Sequence, residues 1–324
     1  MKNIIITGGN GLVGNGIKSY INKLLTCSND NFLNIEFTEY NFIFISSKEC
    51  DLTNYDQTYT YFSNIKPIYV IHLAAKVGGL FKNIEQNLDM FLDNITINNN
   101  ILKICHELKV KKLVSCLSTC IFPDKTTYPI DENMLHNGSP HDSNSGYAYA
   151  KRMLEISSNL YNKQHNTNFI CVIPTNVYGS YDNYNLNDSH VIPGLIHKCY
   201  LAKLNQTPFI ISGSGKPLRQ FIYAEDLGKL ILWSLFIYNE KNTIILSPSE
   251  KDEFSIKFIA TKIAEYFNYD NIIFDKSKPD GQYKKTANNN KLMTLLTDFN
   301  FTNINEGLQE TINWFIKNYP NIRI

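Results

Sequence analysis

Short apolar runs alternate along the chain with longer stretches of helical periodicity. Residues 3–7 form a β-branched run that ends at Gly8-Gly9-Asn10-Gly11-Leu12-Val13-Gly14, and residues 12–25 then carry apolar positions at helical spacing. Runs at 42–46, 69–73, 112–117 and 169–173 also read as strands, the last closed by Pro174. Helices are expected between them, over 53–62, 87–108 and 147–164, with a loop-rich stretch at 123–144. This alternation predicts an α/β fold, a Rossmann-type doubly wound parallel sheet with helices on both faces. Right-handed crossovers bring the strand ends carrying Gly11, Ser46, Ala74, Ser118 and Pro174 to one edge, where such sheets bind ligands.

Beyond Pro174 the character changes. Residues 178–190 are rich in Asn, Asp, Tyr and Gly. Helices are expected over 193–204, 224–238, 255–267 and 305–319, and strands over 207–212 and 242–246. A Gly/Pro/basic loop occupies 213–219. The chain therefore divides into a dinucleotide-binding domain over 1–177, with strand and helix returns over 220–246, and a smaller α/β lobe over 178–324. The lobe is expected to bind mainly substrate and to lack a large second sheet.

Composition narrows the function. The net charge of +1 provides no field for nucleic acid or a membrane surface. The longest apolar stretch, 230–238, is interrupted by Ser234 and is too short to span a bilayer. The apolar run at 1–6 is too short for a signal peptide. Seven cysteines, an odd number without a Cys-x-x-Cys pair, suit a reducing compartment. A cytoplasmic protein without a metal site is expected.

The glycine-rich turn follows a strand and opens a helix, so Gly8, Gly11 and Gly14, with Leu12 and Val13, are candidates to hold a pyrophosphate. The second strand ends in Ser46-Ser47-Lys48, with no carboxylate before Glu49. Two hydroxyls and a cation suit a ribose 2′-phosphate, which selects NADP(H) over NAD. Asp51 is either an adenine contact or the N-cap of the helix over 53–62. Tyr147 and Lys151, four apart on a helix, share a face, and an ammonium beside a phenol favours phenolate. Ser118 and Cys120 share a face if the strand continues past 117, with Thr119 on the other. Cys116 and Tyr149 read as packing residues.

These residues together carry a resemblance. The glycine pattern, His72-Leu73-Ala74-Ala75, Ser118 and Tyr147-x-x-x-Lys151 resemble the extended short-chain dehydrogenase/reductases. Further segments narrow the likeness to members acting on GDP-4-keto-6-deoxy sugars: Lys76-Val77-Gly78-Gly79, Ser118-Thr119-Cys120-Ile121-Phe122-Pro123, Pro174-Thr175-Asn176-Val177-Tyr178-Gly179, Ser189-His190-Val191-Ile192-Pro193 and Lys278-Pro279-Asp280-Gly281. The likeness runs from Ile4 to about residue 319. It implies epimerisation at C3 and C5 of a 4-keto GDP-sugar followed by reduction of C4 with NADPH. Tyr147, Lys151 and Ser118 would serve the carbonyl, with Cys120 and His190 as base and acid. The Cys120 pKa would be lowered from about 8.5 by a nearby cation. Leu73, Ala74, Ala75, Pro174, Thr175, Asn176, Val177 and His190 would line the cofactor with Lys151. Lys198, Ser212, Arg219 and Asp280 would bind substrate.

The likeness also implies a homodimer through the helices at 87–108 and 147–164. Three departures stand out. Ser212 occupies a position where some relatives carry Trp. Gly179-Ser180-Tyr181-Asp182 replaces the commoner Gly-Pro-His-Asp. Asn10 stands where some relatives are basic. Related epimerases and dehydratases that retain NAD are the competing reading, which the basic second-strand end and the Cys120/His190 pair disfavour. A non-catalytic NADP(H)-binding protein on the same fold is disfavoured by the intact Ser118, Tyr147 and Lys151.

Overall fold

The computed structural model describes residues 1–26, 32–278, 280 and 282–324. Cys27, Pro279 and Gly281 of the sequence reading lie outside the described residues.

In the first half, β1 (Lys2–Thr7), α1 (Leu12–Thr26), β2 (Tyr40–Ile45), α2 (Tyr55–Ile65), β3 (Tyr69–His72), α3 (Leu80–Glu85), α4 (Asn87–Glu107), β4 (Lys112–Cys116), α5 (Ser145–His165) and β5 (Phe169–Pro174) follow in order. Then come β6 (Asn176–Tyr178), α6 (Val191–Asn205), β7 (Phe209–Ser212), β8 (Leu218–Tyr223), α7 (Ala224–Phe236) and β9 (Ile244–Leu246). The chain closes with β10 (Glu253–Ser255), α8 (Ile256–Tyr266), β11 (Ile272–Asp275), α9 (Asn290–Leu295) and α10 (Ile304–Asn318).

The main sheet has the order β2-β1-β3-β4-β5-β9, and every pairing in it is parallel. Strands buried on both faces explain its near-continuous apolar sequences. Ile4 and Ile6 join one core with Val114, Val172 and residues of α1 and α7. Ile5 points the other way, into a core with Val70, Leu113 and residues of α4 and α5. A third core under the C-terminal part gathers Tyr178, Ile196, Phe209, Ile259 and Phe315.

The chain leaves the main sheet after β5 and returns through α7 and β9, where Ile244 pairs with Val172. The C-terminal part holds two small sheets, β10-β8-β6 and β11-β7, of whose strands the sequence reading expected only β7. Of the others, β6, β10 and β11 hold three or four residues, too short to show a period. The loop expected over 213–219 ends early, since β8 begins at Leu218 and carries Arg219 as strand. The helix expected over 53–62 starts at Tyr55, and its N-cap is Asn54, whose side chain accepts from the Gln57 amide. Asp51 instead accepts from the Thr53 amide and hydroxyl at 3.0 and 2.7 Å, so its capping alternative is wrong.

Among the described residues, no helix is long and apolar enough to cross a membrane. The six described cysteines form no disulfide. No group of three or more His, Cys, Asp or Glu side chains is gathered as a metal site among the described residues.

Candidate active site

The glycine-rich turn lies against the end of β3. Gly8 has a φ of +67°, and a Cβ there would sit 2.9 Å from the Ala74 nitrogen. A Cβ on Gly14 would meet the Gly9 carbonyl oxygen at 2.5 Å. Only glycine lets helix and strand approach this closely. The Asn15 amide bonds back to Gly11, which leaves the amides of Leu12, Val13 and Gly14 without helical partners at the mouth of the turn. No acidic side chain competes in the first turn of α1. These amides fit the phosphates of a dinucleotide.

A directed chain of hydrogen bonds runs beneath the turn. Thr7 Oγ1 accepts from the Leu73 and Ala74 amides, both at 3.2 Å, and meets His72 Nδ1 at 2.8 Å. His72 Nε2 lies 3.0 Å from Asn98 Oδ1, and Asn98 Nδ2 donates to the Ala150 carbonyl. Because the Thr7 hydroxyl already accepts twice, its proton goes to Nδ1, which assigns the Nε2–H tautomer. Burial, and then the Lys151 charge, lower the His72 pKa to about 3, so the imidazole stays neutral. The sequence showed His72 only as part of a motif. Its link to α5 became visible with the fold.

The end of β2 differs from expectation. The Glu49 carboxylate folds back onto Ser46, accepting from its amide at 2.7 Å and from its hydroxyl. These bonds hold Glu49 below the usual carboxylate range. The strand end expected to be free of carboxylate therefore carries one. Lys18 balances it: its ammonium donates to Asn10 Oδ1 at 3.0 Å and lies 4.7 Å from the centre of the Phe44 ring. Lys18 was missed because it lies on α1, far in sequence from Ser47 and Lys48.

The β4 end brings the carbonyl chemistry together. Strand pairing stops with the Leu117 amide on the Val172 carbonyl. Ser118 is extended, and its hydroxyl accepts from the Cys120 amide at 3.4 Å, opening a 3-10 turn over Thr119–Ile121. Strand alternation therefore does not set the Ser118 and Cys120 directions. The turn does, and Thr119 and Cys120 line one pocket together. Cys116 packs toward the α1/α7 core and Cys120 toward the α4/α5 core. Arg152 clamps the turn, its Nε donating to the Ile121 carbonyl at 2.6 Å and its Nη1 to Gly138 at 2.7 Å.

On α5, the Lys151 ammonium lies 5.9 Å from the Tyr147 ring centre and donates to the Cys116 carbonyl at 2.8 Å. Burial pushes the Tyr147 phenol well above its ordinary value, and the Cys120 and Cys116 thiols add to the rise. The expected depression by Lys151 is absent, and burial dominates the phenol. Burial also raises the Cys120 thiol, partly offset by the Ser118 hydrogen bond and then by the Lys285 and Lys151 charges. The cation expected near Cys120 is present, yet burial outweighs it. Tyr149, expected to pack inside, is 36% exposed beneath the Arg152 guanidinium.

His190 is exposed at the N-cap position of α6. Asp182 lies behind it, buried, with one carboxylate oxygen unpartnered. Burial raises the Asp182 pKa to about 6, and the His190 charge opposes the rise. Pro174 ends β5, Thr175 is buried with an unpartnered hydroxyl, and Asn176 and Val177 open β6.

A model described as the NAD dependent epimerase/dehydratase family matches residues 4–244. The chain belongs to that family. It is 52% identical over 323 residues to a GDP-L-fucose synthase of Dictyostelium discoideum, covering 99% of this chain and 98% of that one. It is 44% identical to a probable GDP-L-fucose synthase of Drosophila melanogaster over the full length of both. The crystal structure of a GDP-L-fucose synthetase from Naegleria fowleri bound to NADP superposes with a TM-score of 0.92 at 45% identity, covering 100% of this chain and 95% of that one.

Within this family member the expected substrate residues fall into two groups. Arg219 lies beside the Cys120 pocket, where its guanidinium donates to the Leu218 and Gln282 carbonyls at 2.6 and 2.7 Å. Ser212 and Asp280 sit further out. Ser212 is exposed at the end of β7, and Asp280 accepts from the Ser214 amide and hydroxyl, closing the 213–215 loop. Lys198 is half-buried on α6. Lys285, which the sequence reading passed over, lines the pocket with Cys120, Tyr128, His141 and Gln282.

Proposed function

We propose that this protein is a bifunctional epimerase and NADPH-dependent oxidoreductase that converts GDP-4-keto-6-deoxy-D-mannose to GDP-L-fucose. The carrying observation is the 3-10 turn that puts Cys120 directly behind the Ser118 hydroxyl, beside Tyr147 and Lys151. A hydride transfer alone requires no sulfur at that corner.

Protons at C3 and C5 are acidic only while the C4 ketone can accept charge. The Ser118 and Tyr147 hydroxyls donate to the developing oxyanion. Cys120 removes the proton from one face of the sugar and His190 returns one to the other. NADPH, when bound, supplies the hydride to C4, and Tyr147 then gives its proton to the alkoxide. Lys151 holds the nicotinamide ribose. The turn at Gly8 and Gly11 and the amides of Leu12, Val13 and Gly14 hold the pyrophosphate. Ser46, Ser47 and Lys48, joined by Lys18, take the 2′-phosphate. Asp51 faces the adenine, while Leu73, Ala74, Ala75 and Pro174 to Val177 line the cofactor. Arg219, Lys198, Ser212 and Asp280 take the GDP moiety. In this reading residues 1–177 with the returns through 220–246 form the cofactor domain, and 178–324 mainly the substrate lobe.

The same reading makes the protein a cytoplasmic homodimer. Leu88 and Leu92 of α4 and Leu160 of α5 leave large apolar side chains 69%, 49% and 56% exposed, which supports a bundle between two copies of this helix pair.

Incubation with GDP-4-keto-6-deoxy-D-mannose and NADPH, with NMR identification of the sugar, tests the function. GDP-L-fucose is expected with stoichiometric NADPH oxidation. A product reduced at C4 with C3 and C5 unchanged, or turnover without net NADPH consumption, would overturn the reading.

A further inference from the structure

We infer that Lys285 is the positioning residue that sets the charge on Cys120, supplying from the C-terminal half of the chain the cation that keeps the sulfur competent as a proton acceptor. The inference rests on the reading of Cys120 as the base of the epimerisation.

Both residues line one pocket, with Asp124, Tyr128, His141 and Gln282. They arrive there from opposite ends of the sequence. Cys120 is fixed by the turn after β4 and by the Arg152 clamp. Lys285 is fixed by a segment stitched on both sides. Ile130 and Ala287 form a parallel bridge, in which the Ile130 amide donates to the Thr286 carbonyl at 2.9 Å and the Asn288 amide to the Ile130 carbonyl at 2.8 Å. The wholly buried Gln220 side chain grips the other edge, bonding the Ala287 amide at 2.7 Å and carbonyl at 3.1 Å. Thr286 is further bonded to Glu253. This is more anchoring than a surface turn requires, and it leaves Lys285 itself directed at the pocket.

The lysine has no other occupation. Among the described residues its ammonium forms no hydrogen bond and no ion pair. Neighbouring Lys284, by contrast, reaches Glu253 at 3.6 Å. The groups that act on Lys285 are Cys120, Arg219 and Asp124. Those that act on Cys120 are Ser118, Lys285 and Lys151. Burial opposes charge on both the thiol and the ammonium, so each is the partner that makes the other's charged form affordable. Lys151 is bonded to the Cys116 carbonyl, and Arg152 holds the Ile121 and Gly138 carbonyls through Nε and Nη1. Lys285 is the cation at this pocket with no backbone commitment.

The test is the pH profile of Cys120 alkylation by iodoacetamide in the NADP-saturated protein, read by tandem mass spectrometry so that Cys116 and Cys120 are scored separately. The thiolate is the reacting form, so the profile follows its population. In Lys285→Met the midpoint is expected to rise by about one pH unit, which slows alkylation at pH 7 about tenfold. Solvent deuterium exchange at C3 of the substrate should fall by a similar factor. Lys285→Arg should restore both. Lys285→Gln keeps a polar side chain without the charge and should raise the midpoint as Lys285→Met does, which keeps the inference testable if the methionine variant fails to bind NADPH.

An unmoved midpoint in Lys285→Met overturns the inference. So does a raised substrate KM with the alkylation profile intact, the signature of a phosphate ligand. A shifted midpoint in a protein that makes no GDP-L-fucose sustains the inference and defeats the functional reading instead.

Discussion

Lys151 Nζ donates to the Cys116 carbonyl oxygen at 2.8 Å, although the lysine stands one helical turn from Tyr147 on α5. That bond ties the helix to the end of the sheet strand that precedes Ser118 and Cys120. Burial keeps the Tyr147 phenol protonated at neutral pH, suited to donating a proton rather than accepting one. Tyr147→Phe should therefore reduce NADPH oxidation about 10²–10⁴-fold, the usual cost of losing a general acid. Stopped-flow absorbance at 340 nm with substrate measures it, and retention of more than about a tenth of the rate excludes the role.

Cys120 should be needed for proton removal and dispensable for cofactor binding. Cys120→Ser is expected to abolish deuterium incorporation at C3 from D₂O while NADPH fluorescence titrations match the wild type. Continued exchange at C3 would place the base elsewhere.

Arg152 is 5% exposed and bonds two backbone carbonyls from segments distant in sequence. Its truncation strands both acceptors, each at a cost of about 1–3 kcal/mol. Arg152→Met should lower stability by about 2–6 kcal/mol in urea titrations. It should also loosen the Cys120 turn, visible as faster amide exchange at Ile121 and Phe122. A variant as stable as the wild type would show that the clamp carries no weight.

His72 predicts an acid sensitivity. Its folded pKa of about 3 lies below its ordinary 6.5. Between those values the unfolded chain binds a proton that the folded chain does not, so stability rises with pH across the window. It is lost as pH falls from 6.5 toward 3, at about 1.4 kcal/mol per pH unit. His72→Gln keeps a donor and an acceptor while removing the titration. Its urea-derived stability should vary less steeply than the wild type's between pH 4 and 6, and identical slopes would refute the assignment.

Much of this site was legible in the chain because it is local. The glycine spacing, the Tyr147/Lys151 spacing and the Ser118/Cys120 spacing each lie within a few residues, and each is set by one turn of backbone. The errors share a physical cause. Ser118 and Cys120 were related by strand periodicity, whereas the chain leaves the strand at Cys116 and turns. Glu49 was counted as lying past the phosphate site, but its flexible side chain reaches back to Ser46. Tyr147 was paired electrostatically with Lys151 from spacing alone, and spacing says nothing about the burial that dominates the phenol.

By itself, the sequence determined the parallel α/β sheet, the glycine-rich turn at its edge and the residue types that surround a ketone. Hydrophobic periodicity and steric demands at glycine are properties of short segments, and they survive without any fold. Tertiary structure alone decided which charges meet. Lys18 reaches Asn10 beside the β2 end, Asp182 lies behind His190, and Lys285 enters the Cys120 pocket from the opposite end of the chain. Electrostatic influence depends on distance and burial, and neither is fixed until the chain has packed, whether the groups lie close in sequence or far apart.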